Sequence, residues 1–306
     1  MPQNSTTAVP EHTEHRITTP DGRTLAVAEW GDPDGVPVLA IHGTPGGRIH
    51  WFGPDPSLDA RYHLRRFSLD RPGYGASTRL PGRRVVDVVH DVTTLMDALS
   101  IEQFAVTGGS GGGPHALACA ALLPERVLRC LAVVSPAPLG RDALDEPAWL
   151  AGMTQGNVDE FRAALAGEAA VRALCEAERT TMFARLAEGS ADLFGDSYEL
   201  AAEDRAQMGR HSAVIAAQMS HGLAPGVDGW VDDDLALVAP WGFDVGAIRV
   251  PVRLSYGRAD TLVPAAHGDW LAASVPGAVA EVTELGHMGD DAGVERQRTW
   301  LAGRWS

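Results

Sequence analysis

The feature that most constrains the fold of this chain is a serine between glycines, placed directly after an apolar segment. Ser110 is the centre of a Gly-x-Ser-x-Gly pattern. The preceding residues Phe104–Thr107 are typical of a buried strand, and Gly111–Leu123 is predicted to be a helix. A serine on such a strand-to-helix turn has strained backbone angles, and Gly108 and Gly112 supply the small residues that the turn needs. The hydroxyl would then stand clear of the sheet.

The pattern alone does not identify a nucleophile. The chain contains 34 glycines in 306 residues, so a chance match is a real alternative. A glycine-rich loop whose serine only caps a helix would show the same sequence pattern. The rest of the sequence has to decide between these two interpretations.

Composition and charge limit the classes of partner. The chain is 45% hydrophobic and 21% charged, as in an ordinary globular protein. Its formal net charge of −15 disfavours binding to nucleic acid and to anionic membrane surfaces. We expect neither a signal peptide in the polar first 15 residues nor a membrane-spanning helix. Three scattered cysteines favour buried thiols and a reducing cytoplasm, namely Cys119, Cys130 and Cys175.

Strands and helices are expected to alternate along most of the chain. The candidate strands are His15–Thr19, Thr24–Trp30, Val36–Ile41, Leu64–Leu69, Phe104–Thr107, Val127–Ser135, Val250–Tyr256 and Ala278–Thr283. The turn signal Pro20-Asp21-Gly22 predicts a hairpin between the first two. Apolar spacing predicts helices over Val85–Leu99 and Ala265–Ser274, and a closing helix from about Gly293. This alternation predicts a mostly parallel eight-stranded sheet with helices on both faces.

The segment from about Gly140 to Asp234 differs from the rest. It is rich in Ala, Glu, Arg and Met and contains no convincing strand. We therefore expect a helical insertion over residues 140–234, within an α/β core formed by residues 1–139 and 235–306. The Asp232–Asp234 run is interpreted as a solvated surface turn, not as a cation site. No metal site is expected.

Two candidate partners for the serine follow late strands. A serine hydroxyl needs a histidine to accept its proton and a carboxylate to orient that histidine. Active residues of α/β sheets cluster beyond the carboxyl ends of the strands. Asp260 follows the strand that ends at Tyr256, and His287 follows the last strand. Asp142 and Asp269 are the nearest rivals for the acid.

Two backbone N–H groups are candidates for the oxyanion hole, which must bind the charge of a tetrahedral intermediate. One belongs to Gly111, directly after the serine. The other is placed at Thr44, in the glycine-rich loop after the third strand. Within that loop Gly43 and His42 are supporting residues, and His42 is expected to stabilise the loop by hydrogen bonding and not to act as the base. His115, on the helix after the serine, is expected to be packed.

Five segments resemble the α/β-hydrolase family across essentially the whole chain. They are HGTPGG (42–47), DRPGYGAS (70–77), GGSGG (108–112), GRADTLVP (257–264) and GHM (286–288). The order Ser110, Asp260, His287 is also the order of nucleophile, acid and base in that family. The resemblance implies an α/β-hydrolase fold without a cofactor, in which the insertion forms a helical cap over the active site. It gives segment 70–77 a structural role only.

A serine nucleophile points to a particular reaction. Dehalogenases and epoxide hydrolases of this family use an aspartate at that position, so serine argues against both. We expect cleavage of a carboxylic ester, lactone or thioester of a small to medium, largely apolar molecule through an acyl-serine intermediate. Gly111 and Gly112 are expected to leave room for a bulky substrate. The sequence does not indicate an oligomeric state.

Other functions stay open. The loop at 42–47 is similar to that of proline iminopeptidases, which hold the substrate's α-ammonium with cap carboxylates, although this chain lacks their tryptophan after the serine. The acids of the insertion are expected on exposed helix faces: Glu146, Asp159, Glu160, Glu176, Glu178 and Glu203. Its methionines fit a pliable pocket or ordinary packing equally well: Met153, Met182, Met208 and Met219. A ligand receptor, a lyase or a cofactor-free oxygenase on the same fold are further alternatives.

Overall fold

A twisted eight-stranded sheet forms the centre of the protein. The computed structural model describes residues 11–49, 57–140, 142–190, 193 and 198–303. The strands are β1 (Thr13–Thr18), β2 (Thr24–Gly31), β3 (Val36–Ile41), β4 (Leu64–Leu69), β5 (Phe104–Gly109), β6 (Val127–Val133), β7 (Val252–Gly257) and β8 (Val279–Thr283). Their order is β1-β2-β4-β3-β5-β6-β7-β8. The predicted mostly parallel sheet is confirmed.

The antiparallel part of the sheet is confined to one edge. β1 pairs with β2 through the predicted hairpin, in which Gly22 has a φ of +85° and its N–H donates to Thr19 O. β2 also pairs antiparallel with β4, and the other five pairings are parallel. β6 ends two residues before the predicted Ser135, because Val134 has a φ of +44° and leaves the extended conformation.

Helices cover both faces of the sheet. They are α1 (Leu58–Arg61), α2 (Val88–Ala98), α3 (Gly113–Leu122), α4 (Glu146–Leu150), α5 (Gln155–Ala166), α6 (Glu168–Ala187), α7 (Ala202–Arg210), α8 (Ser212–Gly222), α9 (Asp228–Val238), α10 (Ala265–Ser274) and α11 (Asp291–Leu301). Successive side chains of a strand point to opposite faces. Phe104 and Val106 therefore belong to the core beneath α2 and α3, whereas Ala105 packs in a cluster with Trp300 and Leu301 of α11.

The described residues of the segment between β6 and β7, here called the insertion, are largely helical. The insertion holds α4 to α8 and most of α9, and α9 continues four residues past Asp234 to Val238. These helices enclose a second apolar cluster that includes Val171, Leu223 and Val231. None of the helices in the described ranges is both long and apolar enough to cross a membrane.

The interpretation of the Asp232–Asp234 run as a solvated surface turn is wrong. All three residues lie in α9 and are at most 2% exposed. Arginines from distant parts of the chain supply counter-charges, since Arg79 pairs with Asp232 while Arg71 and Arg83 pair with Asp233. The cysteines are buried free thiols.

Candidate active site

Ser110 occupies the sharp turn between β5 and α3. Its φ is +52°, a left-handed value that is uncommon for a residue with a side chain and is a source of backbone strain. A Cβ atom at Gly108 would lie 2.2 Å from Gly112 O, and one at Gly112 would lie 2.3 Å from Ile41 O. Both positions therefore need glycine, for the steric reason that the sequence suggested.

Gly111 brings the turn against the loop after β3. A Cβ atom there would lie 2.3 Å from Thr44 Oγ1 and 3.2 Å from Thr44 N. The backbone N–H groups of Gly111 and Thr44 are thus neighbours, and neither donates a hydrogen bond within the described ranges. Thr44 and the backbone of residues 41–42 lie where side chains at positions 111 and 112 would extend, so both positions need glycine; that the glycines leave room for a bulky substrate stays a prediction.

His287 and Asp260 are joined by a hydrogen bond. Nδ1 of His287 lies 2.8 Å from Asp260 Oδ2. The other carboxylate oxygen of Asp260 accepts the backbone N–H groups of Leu262 and Val263 at 2.8 and 2.9 Å, which fixes the carboxylate in place. The rival acids are elsewhere: Asp142 is exposed, and Asp269 accepts hydrogen bonds from Tyr256 and Arg258.

The charges around His287 favour its protonated form. Burial by itself would lower the pKa of His287, but the negative charge and hydrogen bond of Asp260, with the charge of Asp204, raise it above its ordinary value. An imidazole held in this way is suited to accept a proton from a neighbouring hydroxyl group.

Ser110 and His287 line the same cavity, whose volume is about 310 Å³. The Ser110 hydroxyl makes no hydrogen bond to any described residue, so the structure brings these two side chains to one cavity without joining them directly. Thr44, Gly43 and Gly111 line the cavity as well. Several of the predicted site residues therefore line one cavity, and Asp260 reaches it through its hydrogen bond to His287.

The loop that carries Thr44 is held by hydrogen bonds to its backbone. His42 is fully buried, and its Nδ1 donates to Gly43 O at 2.8 Å while its Nε2 accepts the Arg71 N–H at 3.1 Å. The Arg71 guanidinium donates to the carbonyl groups of His42 and Gly43. Burial, together with the Arg71 charge, lowers the pKa of His42 to about 3 and keeps it neutral. His42 thus supports the loop, as the sequence suggested.

Asp233 anchors the same loop from α9, a role that the sequence did not reveal. Its carboxylate accepts hydrogen bonds from Thr44 Oγ1 at 2.7 Å and from Tyr74 Oη at 2.8 Å. It also pairs with Arg71 and with Arg83, whose Nη2 lies 2.6 Å from Oδ1. Burial would raise the pKa of Asp233, but the two arginines lower it well below its ordinary value.

A pair of buried acids, Glu160 and Asp234, lies in the wall of the cavity. Trp230 Nε1 donates to Glu160 at 2.7 Å and Tyr198 Oη donates at 3.2 Å. Burial raises the pKa of Glu160 despite the hydrogen bonds that it accepts, and burial together with the neighbouring Glu160 raises the pKa of Asp234. The expectation that Glu160 lies on an exposed face is wrong, because α5 turns this side of the helix toward Trp230.

Other predicted residues take ordinary positions. Glu146, Asp159, Glu176 and Glu203 are exposed, and Glu178 is partly exposed. Met153, Met208 and Met219 line the cavity, whereas Met182 packs in the apolar cluster of the insertion. His115 is buried, with Nδ1 against Gly111 O. Within the described residues, no three His, Cys, Asp or Glu side chains group so as to hold a metal ion.

Comparison with known proteins identifies the family. The chain is 28% identical to a proline iminopeptidase of Neisseria gonorrhoeae over 86% of each chain. It is 35% identical over 120 residues to the dihydrolipoyllysine-residue acetyltransferase component of the acetoin cleaving system of Pseudomonas putida, and spans only 32% of that relative. The enol-lactonase of Burkholderia xenovorans LB400 superposes with a TM-score of 0.67 at 18% identity, covering 95% of this chain and 99% of its own. A family model described as the alpha/beta hydrolase fold matches residues 36–289, and the chain therefore belongs to the α/β-hydrolase family.

Proposed function

We propose that this protein is a serine hydrolase that cleaves carboxylic esters, including lactones and thioesters, of small to medium and largely apolar molecules. The observation that carries the proposal is the Asp260–His287 hydrogen bond at the cavity that also contains the strained Ser110. A carboxylate that orients a histidine beside a presented serine is the arrangement that makes a hydroxyl nucleophilic.

The proposed reaction proceeds in two steps. Ser110 Oγ attacks the ester carbonyl while His287 Nε2 takes its proton, and the N–H groups of Thr44 and Gly111 bind the oxyanion. His287 then protonates the leaving alcohol, and the acyl group stays on Ser110. Water, deprotonated by His287, attacks the acyl-serine, the acid leaves, and the proton returns to Ser110. Ser110 and His287 make no hydrogen bond in the free protein, and we expect one to form as substrate binds, as is common in active sites that tighten around the substrate.

The walls of the cavity support an apolar acyl or alcohol group. Trp149, Phe161 and Leu262 line it, as do Met208 and Met219. Burying such side chains against a hydrocarbon group contributes about 25 cal/mol per Å² of apolar surface removed from water. We further propose that the helical insertion acts as a cap, since the cavity lies between its residues and the sheet edge.

A prolyl aminopeptidase activity is the second candidate. The buried pair Glu160 and Asp234 lines the cavity, and ionised carboxylates there would bind a substrate ammonium group. The similarity to the Neisseria proline iminopeptidase, over 86% of each chain, favours the same activity. Against it, both carboxyl groups have raised pKa values, so their burial favours a protonated, less charged pair.

Turnover of two chromogenic substrates separates these candidates. We expect the purified protein to hydrolyse p-nitrophenyl esters of graded acyl length much faster than prolyl p-nitroanilide. Ser110→Ala should stay folded and lose several orders of magnitude in ester turnover. Faster anilide turnover, with strong loss in Glu160→Gln, would establish the aminopeptidase instead. Ester turnover that survives in Ser110→Ala would overturn both.

A further inference from the structure

Asp204 of the insertion accepts hydrogen bonds from the backbone of the loop that carries His287. It lies on α7 of the insertion and is 1% exposed. Its Oδ2 accepts the backbone N–H of His287 at 2.9 Å, and its Oδ1 accepts that of Met288 at 2.8 Å. Two consecutive N–H groups thus satisfy the buried carboxylate. Charge-assisted hydrogen bonds of this kind are stronger than those between neutral groups.

The sequence of the loop is fitted to this carboxylate. A Cβ atom at Gly286 would lie 2.1 Å from Asp204 Oδ2, so only glycine permits the approach. One turn along α7, Gln207 Nε2 donates to Gly289 O at 3.1 Å. One face of α7 therefore holds residues 286–289, the His287 loop, at three backbone points.

We propose that Asp204 is a positioning residue for His287, which makes the placement of the base depend on the helical insertion. Asp260 orients the imidazole through Nδ1, while Asp204 fixes the backbone from which the imidazole projects. The proposal rests on the proposed function, in which His287 is the base. Because Gln207 and Met208 of α7 line the cavity, the helix that holds the base would also contact a substrate bound there.

A positioning role differs from simple structural attachment in its effect on pH dependence. Asp260, in the loop after β7, and Asp204, on α7, are the charged groups that raise the pKa of His287. Removing the Asp204 charge lowers that pKa. Since His287 must be neutral to accept the serine proton, the acid limb of kcat/KM then moves to lower pH.

The test compares Asp204→Asn and Asp204→Ala with Glu203→Gln. Glu203 is the exposed neighbour on the same helix and leaves the His287 loop untouched. For Asp204→Ala we expect kcat on p-nitrophenyl esters to fall about 100-fold, the scale of a 1 Å misplacement, with KM changed by about twofold or less. The isosteric Asp204→Asn variant keeps one hydrogen-bond acceptor, so its kcat should fall less. The acid limb of its kcat/KM profile should move to lower pH. Glu203→Gln should match wild type in both respects.

Each outcome discriminates. Wild-type kcat and an unmoved acid limb in folded Asp204→Asn would overturn the proposal alone. If Asp204→Ala fails to fold, the position of the acid limb of kcat/KM in Asp204→Asn tests the proposal. A lower kcat with an acid limb that stays in place would indicate mere structural support and also overturn it. Absence of ester turnover in wild type would overturn the proposed function first, and this inference with it.

Discussion

Replacing Asp233 with asparagine tests whether the anchoring of the Thr44 loop is both structural and catalytic. The substitution keeps the shape of the side chain but leaves the fully buried Arg71 and the buried Arg83 without their carboxylate. Breaking a buried ion pair by neutralising one partner costs about 3–5 kcal/mol. With an unfolding entropy of about 2.1 cal/mol/K per residue, this loss lowers the Tm of a 306-residue chain by about 5–8 °C.

The ester turnover of Asp233→Asn should fall together with its free energy of unfolding. Thr44 Oγ1 loses its carboxylate acceptor, so the Thr44 N–H is held less firmly in place. Deleting an oxyanion donor outright costs about 10²–10³-fold in kcat, so misplacing one should cost about 10–100-fold. Thermal melts followed by circular dichroism and ester assays below the melting range measure both effects.

Asp232→Asn is the matched control for this experiment. Asp232 lies on the same helix, but its partner Arg79 has a side chain 26% exposed, so water partly replaces the lost interaction. We expect a loss of about 1 kcal/mol or less. A Tm of Asp233→Asn within about 1 °C of wild type, with unchanged kcat, would refute the reasoning.

Three further predictions concern the site. Gly111→Ala places a Cβ atom 2.3 Å from Thr44 Oγ1, so ester kcat should fall about 100-fold in a folded protein; full activity would contradict the proposed oxyanion hole. The acid limb of wild-type kcat/KM should have its midpoint above the ordinary histidine value of 6.5, because Asp260 raises the pKa of His287; a midpoint below 6.5 would contradict it. Asp234 has a raised pKa, so the folded state keeps a proton that the unfolded state releases, and stability falls as pH rises. Asp234→Asn should therefore gain more stability over wild type at about pH 8 than at about pH 5 in urea unfolding; an equal difference would contradict it.

The sheet and the residues at its edge could be predicted because each of them is marked by residues close to it in the sequence. Gly108 and Gly112 flank Ser110, and Asp260 and His287 each follow a strand, so strand ends and turn chemistry are enough to find them. Small differences arise at the ends of elements. Residues Val85–Asp87 form a 3₁₀ turn before α2 instead of its first turn.

The polar contacts that bury the acids of the insertion could not be found in this way. Asp233 meets Arg71 across 162 residues, Asp204 meets His287 across 83, and Glu160 meets Trp230 across 70. An acidic residue on a helix is exposed by default, and only a partner brought close by the fold makes its burial stable. The spacing of charges along one helix carries no information about such a partner.

Labelling with a fluorophosphonate tests most directly whether distant residues combine to make one hydroxyl reactive. Such a probe forms a covalent phosphonyl ester with an activated serine, and peptide mass spectrometry locates it. We predict one adduct per folded molecule on Ser110, formed far more slowly in His287→Ala and absent in Ser110→Ala. A folded wild-type protein that stays unlabelled, or one labelled on another residue, would contradict the account.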